Sequence, residues 1–257
     1  MFPISDDNPT LRTPIVTYLI LGGCASVWLL FQGAGFNTSA LAASVCNWGM
    51  VPGELTGLAP LGFAVPLGEG MDCLIDNEAI NRLTPISSMF LHGGWGHIIG
   101  NCLFLWVFGN NVEDSMGRFR FVIFYLLCGL VAAGAHVLID PSSPVPTVGA
   151  SGAISGVLGA YLVLYPRVRV KLLFPIFIIL TFISLPAWVV LIYWFVLQVI
   201  TGLPQLMTLR PEISGGVAVW AHIGGFVAGV VLIKLFENRR YTAERTAGRH
   251  RLHPDHP

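Results

Sequence analysis

Two side chains that could together perform acyl transfer lie near the start of separate apolar segments. Ser151 lies in the string GASG at 149–152, and His222 lies in the string AHIGG at 221–225. A serine hydroxyl is a poor nucleophile unless a neighbouring base takes its proton, and histidine is the side chain most often used for this. Serine among glycines also has a structural interpretation, because small residues let membrane helices pack closely. The chemical interpretation requires His222 to lie at the depth of Ser151.

A third apolar segment carries polar groups suited to binding an oxyanion. His97 and Asn101 are four residues apart, so they share one face of a helix. An imidazole N–H and an amide N–H can both donate hydrogen bonds to negative charge that develops on oxygen. His92 lies about 140° from His97 around such a helix. We interpret His92 as a structural group that ties down the preceding loop.

The composition indicates a membrane protein. Of the 257 residues, 54% are hydrophobic and 11% are charged, whereas soluble domains carry about 25% charged residues. The net charge is zero, so the chain has no basic field for nucleic acid, and we exclude nucleic-acid binding. The apolar segments contain no HExxH string and no carboxylate, and the five cysteines form no CxxC pair. We therefore predict neither a metal nor a cofactor.

The apolar segments predict an all-α polytopic fold with six spans, since a span requires about 20 apolar residues. The predicted spans are residues 14–34, 89–110, 120–139, 149–165, 186–203 and 216–236. Segment 172–184 would be about 20 Å long as a helix, too short to cross the bilayer. We predict that it approaches the membrane interface or extends the next span. Residues 1–13 form the predicted cytoplasmic N-terminus, and residues 237–257 a polar cytoplasmic tail that we expect to be disordered.

The distribution of charge orients this bundle in a cell (inner) membrane. With both termini in the cytoplasm, all of the 14 lysines and arginines except Arg82 and Arg210 lie on the inner side, as the positive-inside rule predicts. The loop of residues 36–88 then lies outside. It contains Cys46 and Cys73, which either form a disulfide or are two unrelated thiols.

In this topology spans two, four and six all begin at the outer face. His97, Asn101, Ser151 and His222 then share the outer half of the membrane. Because no acidic residue lies in any predicted span, a Ser–His dyad is expected instead of a triad. Small residues allow the spans to come close enough to form it. The small residues that we place beside the predicted site are Gly149, Gly152 and Gly225.

Three strings in the chain resemble the motifs of the rhomboid intramembrane serine proteases. They are HGGWGHIIGN at 92–101, GASG at 149–152 and AHIGGFVAG at 221–229. They occur in the expected order on spans two, four and six, and the resemblance covers about residues 80–236. It implies a six-helix rhomboid-like bundle.

The resemblance also assigns roles to the polar residues. Ser151 would be the nucleophile and His222 the base. His97, Asn101 and the backbone N–H of Ser151 would form the oxyanion hole, and His92 matches the first motif histidine. Substrates would be single-span membrane proteins cleaved near the outer face, within the lipid bilayer. No oligomeric state is implied.

The chain departs from the family pattern at two places. Asn81-Arg82 stands where many members carry a Trp-Arg pair in the outer loop. Ser155 stands where some members place an aromatic ring that stacks on the catalytic histidine, so another group must hold His222. Two other classes of function remain as alternatives: a catalytically inactive rhomboid-like protein that binds membrane clients, and a small transporter. Inverted repeats and carboxylates within spans would mark a transporter, and the sequence has neither.

Overall fold

The computed structural model of the chain describes residues 2–68, 71–176, 179–207 and 218–244. The main α-helices are α1 (Ile15–Ser26), α2 (Thr38–Trp48), α3 (Pro52–Thr56), α4 (Thr84–Ser87), α5 (Trp95–Phe104), α6 (Asn110–Met116), α7 (Arg118–Ile139), α8 (Ser151–Leu164), α9 (Ala187–Met207) and α10 (Val219–Phe236). The strands are β1 (Phe2–Asp6), β2 (Ala64–Gly68), β3 (Met71–Leu74), β4 (Arg169–Ile176) and β5 (Ile179–Pro186). π-helical turns extend α1 through Val27–Phe31 and α5 through Leu105–Gly109.

Each of the six predicted spans contains a helix. Among the described residues, α7, α10 and the part of α9 from Ala187 to Pro204 are long and apolar enough to cross a membrane. Ile15–Phe31 and Ser151–Leu164 are apolar but shorter. In the remaining predicted span, 89–110, the α-helix begins at Trp95. The helical content of these apolar segments thus agrees with the sequence prediction.

Helix α8 forms the centre of the bundle, and its small residues set how closely other helices approach. It is buried at every residue from Gly152 to Tyr161 and packs against α7 and α10. A Cβ atom added to Gly225 would collide with the carbonyl oxygen of Gly152. One added to Gly229 would collide with the carbonyl oxygen of Gly156. The backbones of α8 and α10 are therefore in direct contact, because these positions have no side chains.

The described residues of segment 172–184 lie in two paired strands, which corrects the prediction that the segment extends the helix of the next span. Strands β4 and β5 pair antiparallel, with Arg169 opposite Pro186 and Ile176 opposite Ile179. The β-branched and aromatic residues of this segment favour strands, and Pro175 disfavours a helix interior. Strand β1 pairs antiparallel with β4, so the sheet has the order β1-β4-β5. The predicted N-terminal segment 1–13 thus contains a strand that the sequence did not indicate.

Polar side chains tie strand β1 to the helices. Asn111 of α6 donates a hydrogen bond of 2.8 Å to the carboxylate of Asp6, and the hydroxyl of Tyr161 on α8 donates to the same oxygen. The strand is therefore fixed both by the sheet and by the centre of the bundle.

A buried carboxylate on α6 caps the start of α1. Glu113 accepts hydrogen bonds from the backbone N–H groups of Val16 (3.0 Å) and Thr17 (2.7 Å). It also accepts one from the hydroxyl of Thr17 at 2.8 Å. These N–H groups belong to the first turn of the helix and have no partner within it, and the carboxylate also lies at the positive end of the helix dipole.

Replacing Glu113 with alanine is expected to lower the free energy of unfolding by about 3 kcal/mol, because buried donors would lose a charged partner. Thermal or denaturant unfolding in detergent would measure the change. Glu237→Ala is the control, since Glu237 pairs at 3.4 Å with Lys234, whose side chain is 63% exposed. Such a surface pair contributes less than about 1 kcal/mol. Equal losses in the two variants would contradict a special role for Glu113.

The loop of residues 36–88 is ordered by its own core and by a disulfide. Cys46 on α2 and Cys73 on β3 are bonded, with their Cα atoms 5.3 Å apart, which selects the disulfide over two unrelated thiols. Strands β2 and β3 form a hairpin around the buried Val65. At the position of the family's Trp-Arg pair, the buried Asn81 donates a hydrogen bond of 2.8 Å to Asp76. Asn81 therefore holds the loop through an amide.

The beginning of the predicted disordered tail is ordered. Residues 239–244 are helical, and the backbone N–H of Asn238 donates to the carbonyl of Ser115 at 3.0 Å. Glu244 accepts hydrogen bonds from Arg240 and Arg12, which hold the pKa of its carboxyl below the usual range. Residues 245–257 of that prediction lie outside the described residues.

Candidate active site

Ser151 and His222 meet at the contact between α8 and α10. Ser151 is the first residue of α8, and His222 lies in the first turn of α10. The Nε2 atom of His222 lies 2.7 Å from the Oγ atom of Ser151, and the His222 side chain is only 8% exposed. Gly225, one turn beyond His222, packs on the backbone of Gly152, which follows Ser151. The close approach of the two helices thus places the two side chains within hydrogen-bond distance.

The other nitrogen of His222 contacts a residue that the sequence analysis missed. Nδ1 of His222 lies 2.9 Å from Oε1 of Gln198 on α9. Trp194, one turn earlier on α9, lies with its ring 5.8 Å from the imidazole ring, at an angle of 38°. Trp194 and Gln198 therefore hold the His222 ring, which Ser155 cannot do because it has no aromatic ring. A glutamine inside an apolar span is a usable signal, because polar groups are costly in the bilayer, but the sequence does not show which helix it faces.

His97 packs against the backbone of Gly149 because Gly149 has no side chain. A Cβ atom at Gly149 would lie 2.6 Å from Nε2 of His97 and 3.5 Å from Oγ of Ser151. The φ angle of Gly149 is +129°, which an L-residue with a side chain rarely adopts. The Nδ1 atom of His97 accepts a hydrogen bond of 3.4 Å from the backbone N–H of Gly93. The neutral ring therefore carries its proton on Nε2, next to Gly149.

Asn101 lies one turn after His97 on the same helix, as predicted. Its side chain is 9% exposed, and its Nδ2 atom has no hydrogen-bond partner among the described residues. A buried amide without a partner costs free energy, so it calls for an explanation. A ligand oxygen at this position would accept from it.

His92 is held by its backbone and not by its ring. Gln32, at the end of the extension of α1, accepts a hydrogen bond from the His92 N–H and donates one to the His92 carbonyl, both at 2.9 Å. The imidazole is fully buried, and neither ring nitrogen makes a hydrogen bond of ordinary geometry within the described residues. The ring packs 5.2 Å from that of His97. The backbone of His92, rather than its ring, thus anchors this segment.

Two further polar residues have structural hydrogen bonds. The hydroxyl of Ser155 donates to the carbonyl of Ser151 at 2.6 Å, as expected for a serine bonded to its own helix. Nε2 of His136 lies 3.1 Å from the hydroxyl of Thr147. Within the part of the chain that the structure describes, no three His, Cys, Asp or Glu side chains come together in a way that could hold a metal ion.

The apolar helices define a multi-pass membrane protein. The chain belongs to the rhomboid family: the family model for the Rhomboid domain matches residues 81–239. This match covers α4 to α10, and of the polar residues described in this site it leaves out Gln32.

Several curated relatives are similar to parts of the chain. Rhomboid protease GluP of Bacillus subtilis is 45% identical over 80 residues, which are 31% of this chain and 15% of the relative. Rhomboid-like protein 11, chloroplastic, of Arabidopsis thaliana is 31% identical over 155 residues, 58% of this chain and 51% of the relative. Rhomboid protein 1, mitochondrial, of Saccharomyces cerevisiae is 26% identical over 184 residues, 66% of this chain and 47% of the relative. The chain therefore spans about half or less of the length of these relatives.

Proposed function

We propose that this chain is an intramembrane serine endopeptidase with Ser151 as nucleophile and His222 as general base. The observation that carries the proposal is the 2.7 Å contact between Ser151 Oγ and His222 Nε2. A base at this distance can take the hydroxyl proton as the oxygen attacks. Membership of the rhomboid family supports the proposal, as does the name of the relative GluP, a rhomboid protease.

The proposed reaction proceeds through an acyl-enzyme. Ser151 Oγ attacks the peptide carbonyl, and its proton passes to Nε2 of His222. The oxyanion accepts hydrogen bonds from Nε2–H of His97, from the unpartnered amide of Asn101 and from the backbone N–H of Ser151. His222 then gives its proton to the leaving amine, and water hydrolyses the ester with His222 again as base. His222 finally returns the proton taken from water to Ser151 Oγ as the ester bond breaks, which restores the starting enzyme.

The proposed substrates are single-span membrane proteins cut near the outer face. In the proposed topology six spans place both termini in the cytoplasm, the loop 36–88 outside and the dyad in the outer half of an inner membrane. The Cys46–Cys73 disulfide supports this orientation, because disulfides persist on the oxidising side of a bacterial membrane. A transmembrane helix hides its carbonyl groups in hydrogen bonds, so the substrate must unwind locally before Ser151 can attack.

Labelling with a fluorophosphonate tests the proposal directly. The purified protein in lipid nanodiscs is expected to form a covalent adduct on Ser151, identified by mass spectrometry, and to cleave a fluorogenic transmembrane substrate. Ser151→Ala is expected to do neither. Ser155→Ala is the matched control, since this hydroxyl lies one turn away and bonds only to the carbonyl of Ser151 among the described residues. It should be labelled as fast as the wild type.

A folded wild-type protein that forms no adduct and cleaves no substrate would overturn the proposal. That result would favour a rhomboid-like protein that binds membrane clients without cutting them. Adduct formation on a serine other than Ser151 would also overturn it.

A further inference from the structure

The catalytic histidine of the proposed dyad needs a second partner that fixes its protonation state. A neutral imidazole has one N–H donor and one acceptor nitrogen. To take the proton of Ser151, His222 must have a bare Nε2 atom and therefore a proton on Nδ1. Among the described residues no aspartate or glutamate hydrogen-bonds to this ring. The fixing group must be of another kind.

Gln198 has the required position and chemistry. Its Oε1 atom lies 2.9 Å from Nδ1 of His222, and a carbonyl oxygen can only accept a hydrogen bond. It therefore stabilises the ring form with the proton on Nδ1, which leaves Nε2 free, 2.7 Å from Ser151 Oγ. The side chain is partly buried on α9, a helix of otherwise almost wholly apolar residues. A glutamine in that environment is costly unless its amide is used.

Trp194 complements Gln198 from the same helix. The two residues are four apart on α9 and so lie on one face, which is turned toward His222. The indole ring lies 5.8 Å from the imidazole and also packs on Phe226, one turn after His222 on α10. Trp194 thus packs against the imidazole ring of His222, and Gln198 accepts the hydrogen bond that sets its orientation.

No acidic group among the described residues interacts with the His222 ring, so a neutral amide is the group available to fix its protonation. The titratable groups that interact with the ring are His97 from α5 and His136 from α7, and neither is an acid. On α8 the group that faces it is the hydroxyl of Ser151. A hydrogen bond from Nδ1–H to an amide oxygen would also stabilise the imidazolium that forms during the reaction, as the aspartate does in a triad.

We propose that Gln198 is a positioning residue that completes a Ser151–His222–Gln198 relay, with the amide oxygen in the place of the triad carboxylate. This inference rests on the proposed proteolytic function. The Ser151 proton moves to Nε2 of His222. The Nδ1 proton stays on His222 and is donated in a hydrogen bond to Gln198 Oε1, so Gln198 neither gains nor loses a proton.

The test combines kinetics with a measurement that does not depend on activity. Gln198→Leu is expected to lower kcat about tenfold with KM unchanged, the effect of losing one hydrogen bond in the transition state. Gln198→Glu keeps an oxygen acceptor at the same reach and is expected to restore kcat to near the wild-type value. Thr201→Val is the matched control on α9, because its hydroxyl bonds only to carbonyls of its own helix among the described residues.

Nitrogen-15 NMR of protein labelled with ¹⁵N-histidine measures the tautomer of each imidazole ring directly. The His222→Ala variant assigns the His222 signal. The wild type is expected to show His222 with its proton on Nδ1, and Gln198→Leu to show a shift toward the Nε2–H form. An unchanged His222 tautomer or an unchanged kcat in a folded Gln198→Leu variant would overturn the proposed role of Gln198. Absence of a fluorophosphonate adduct in the wild type would instead overturn the proposed function. Failure of the Gln198 proposal and failure of the proposed function therefore give different results.

Discussion

Replacing His222 with alanine is expected to lower the rate of substrate cleavage by at least about a thousandfold while the protein remains folded. The proposed base 2.7 Å from Ser151 Oγ would be gone, and the structure offers no second group at that distance among the described residues. Removal of a member of a catalytic unit commonly costs this much or more. Single-turnover cleavage in proteoliposomes would measure the loss, with thermal unfolding as the test of folding.

The control for this prediction is His136→Ala. His136 is another histidine in the membrane region, but its ring contacts Thr147 and not Ser151. Its loss is expected to change stability and to leave the cleavage rate within about tenfold of the wild type. If His222→Ala retained more than a few per cent of the wild-type rate, a base other than His222 would have to be sought.

Replacing Gly225 with alanine is expected to have the second largest effect, lowering both stability and activity. The added Cβ would lie 3.0 Å from the carbonyl carbon of Gly152 and closer still to its oxygen, and backbone atoms of a buried helix cannot move aside cheaply. Overpacking of this kind costs about 1–3 kcal/mol. Gly152 follows the proposed nucleophile, so separation of the helices here also separates Ser151 from His222. A displacement of about 1 Å lowers the rate about a hundredfold.

Gly134→Ala on α7 provides the matched control. Gly134 also lies in an apolar helix, but a Cβ there would meet nothing within 4 Å. Alanine favours helix by about 1 kcal/mol over glycine, so this variant is expected to be as stable as the wild type or more so. Unfolding and single-turnover assays on both variants would measure the contrast. Equal behaviour of the two would show that the contact between α8 and α10 does not position the dyad.

The sequence predicted the centre of this molecule because its chemistry is unusual for a membrane. Serine and histidine at the starts of apolar runs stand out in a chain with few polar residues in its spans, and the glycines beside them indicate which helices meet. The apolar runs also predicted where the helices lie, but not their lengths, since Ile15–Phe31 and Ser151–Leu164 are shorter than a full span. The contact between Ser151 and His222 could therefore be anticipated from depth and packing alone.

The hairpin and the supports of His222 could not be predicted in this way. Segment 172–184 is apolar throughout, and periodicity cannot distinguish a buried strand from a helix in such a run. Its partner β1 is far away in sequence, so nothing local indicates the pairing. Gln198 and Trp194 act through contacts with α10 that depend on how α9 is rotated, and the α9 sequence alone does not fix that rotation.

The pairing of β1 with β4 also determines when β1 can reach its final position during protein synthesis. About 160 residues separate the two strands, and a ribosome adding about 5–20 residues per second needs roughly 10 to 30 seconds to produce them. Throughout this interval the backbone of β1 lacks its eventual neighbour, although α1 is already available for insertion. The bundle can close on this side only when the hairpin emerges, so the strand made early is among the last to reach its place.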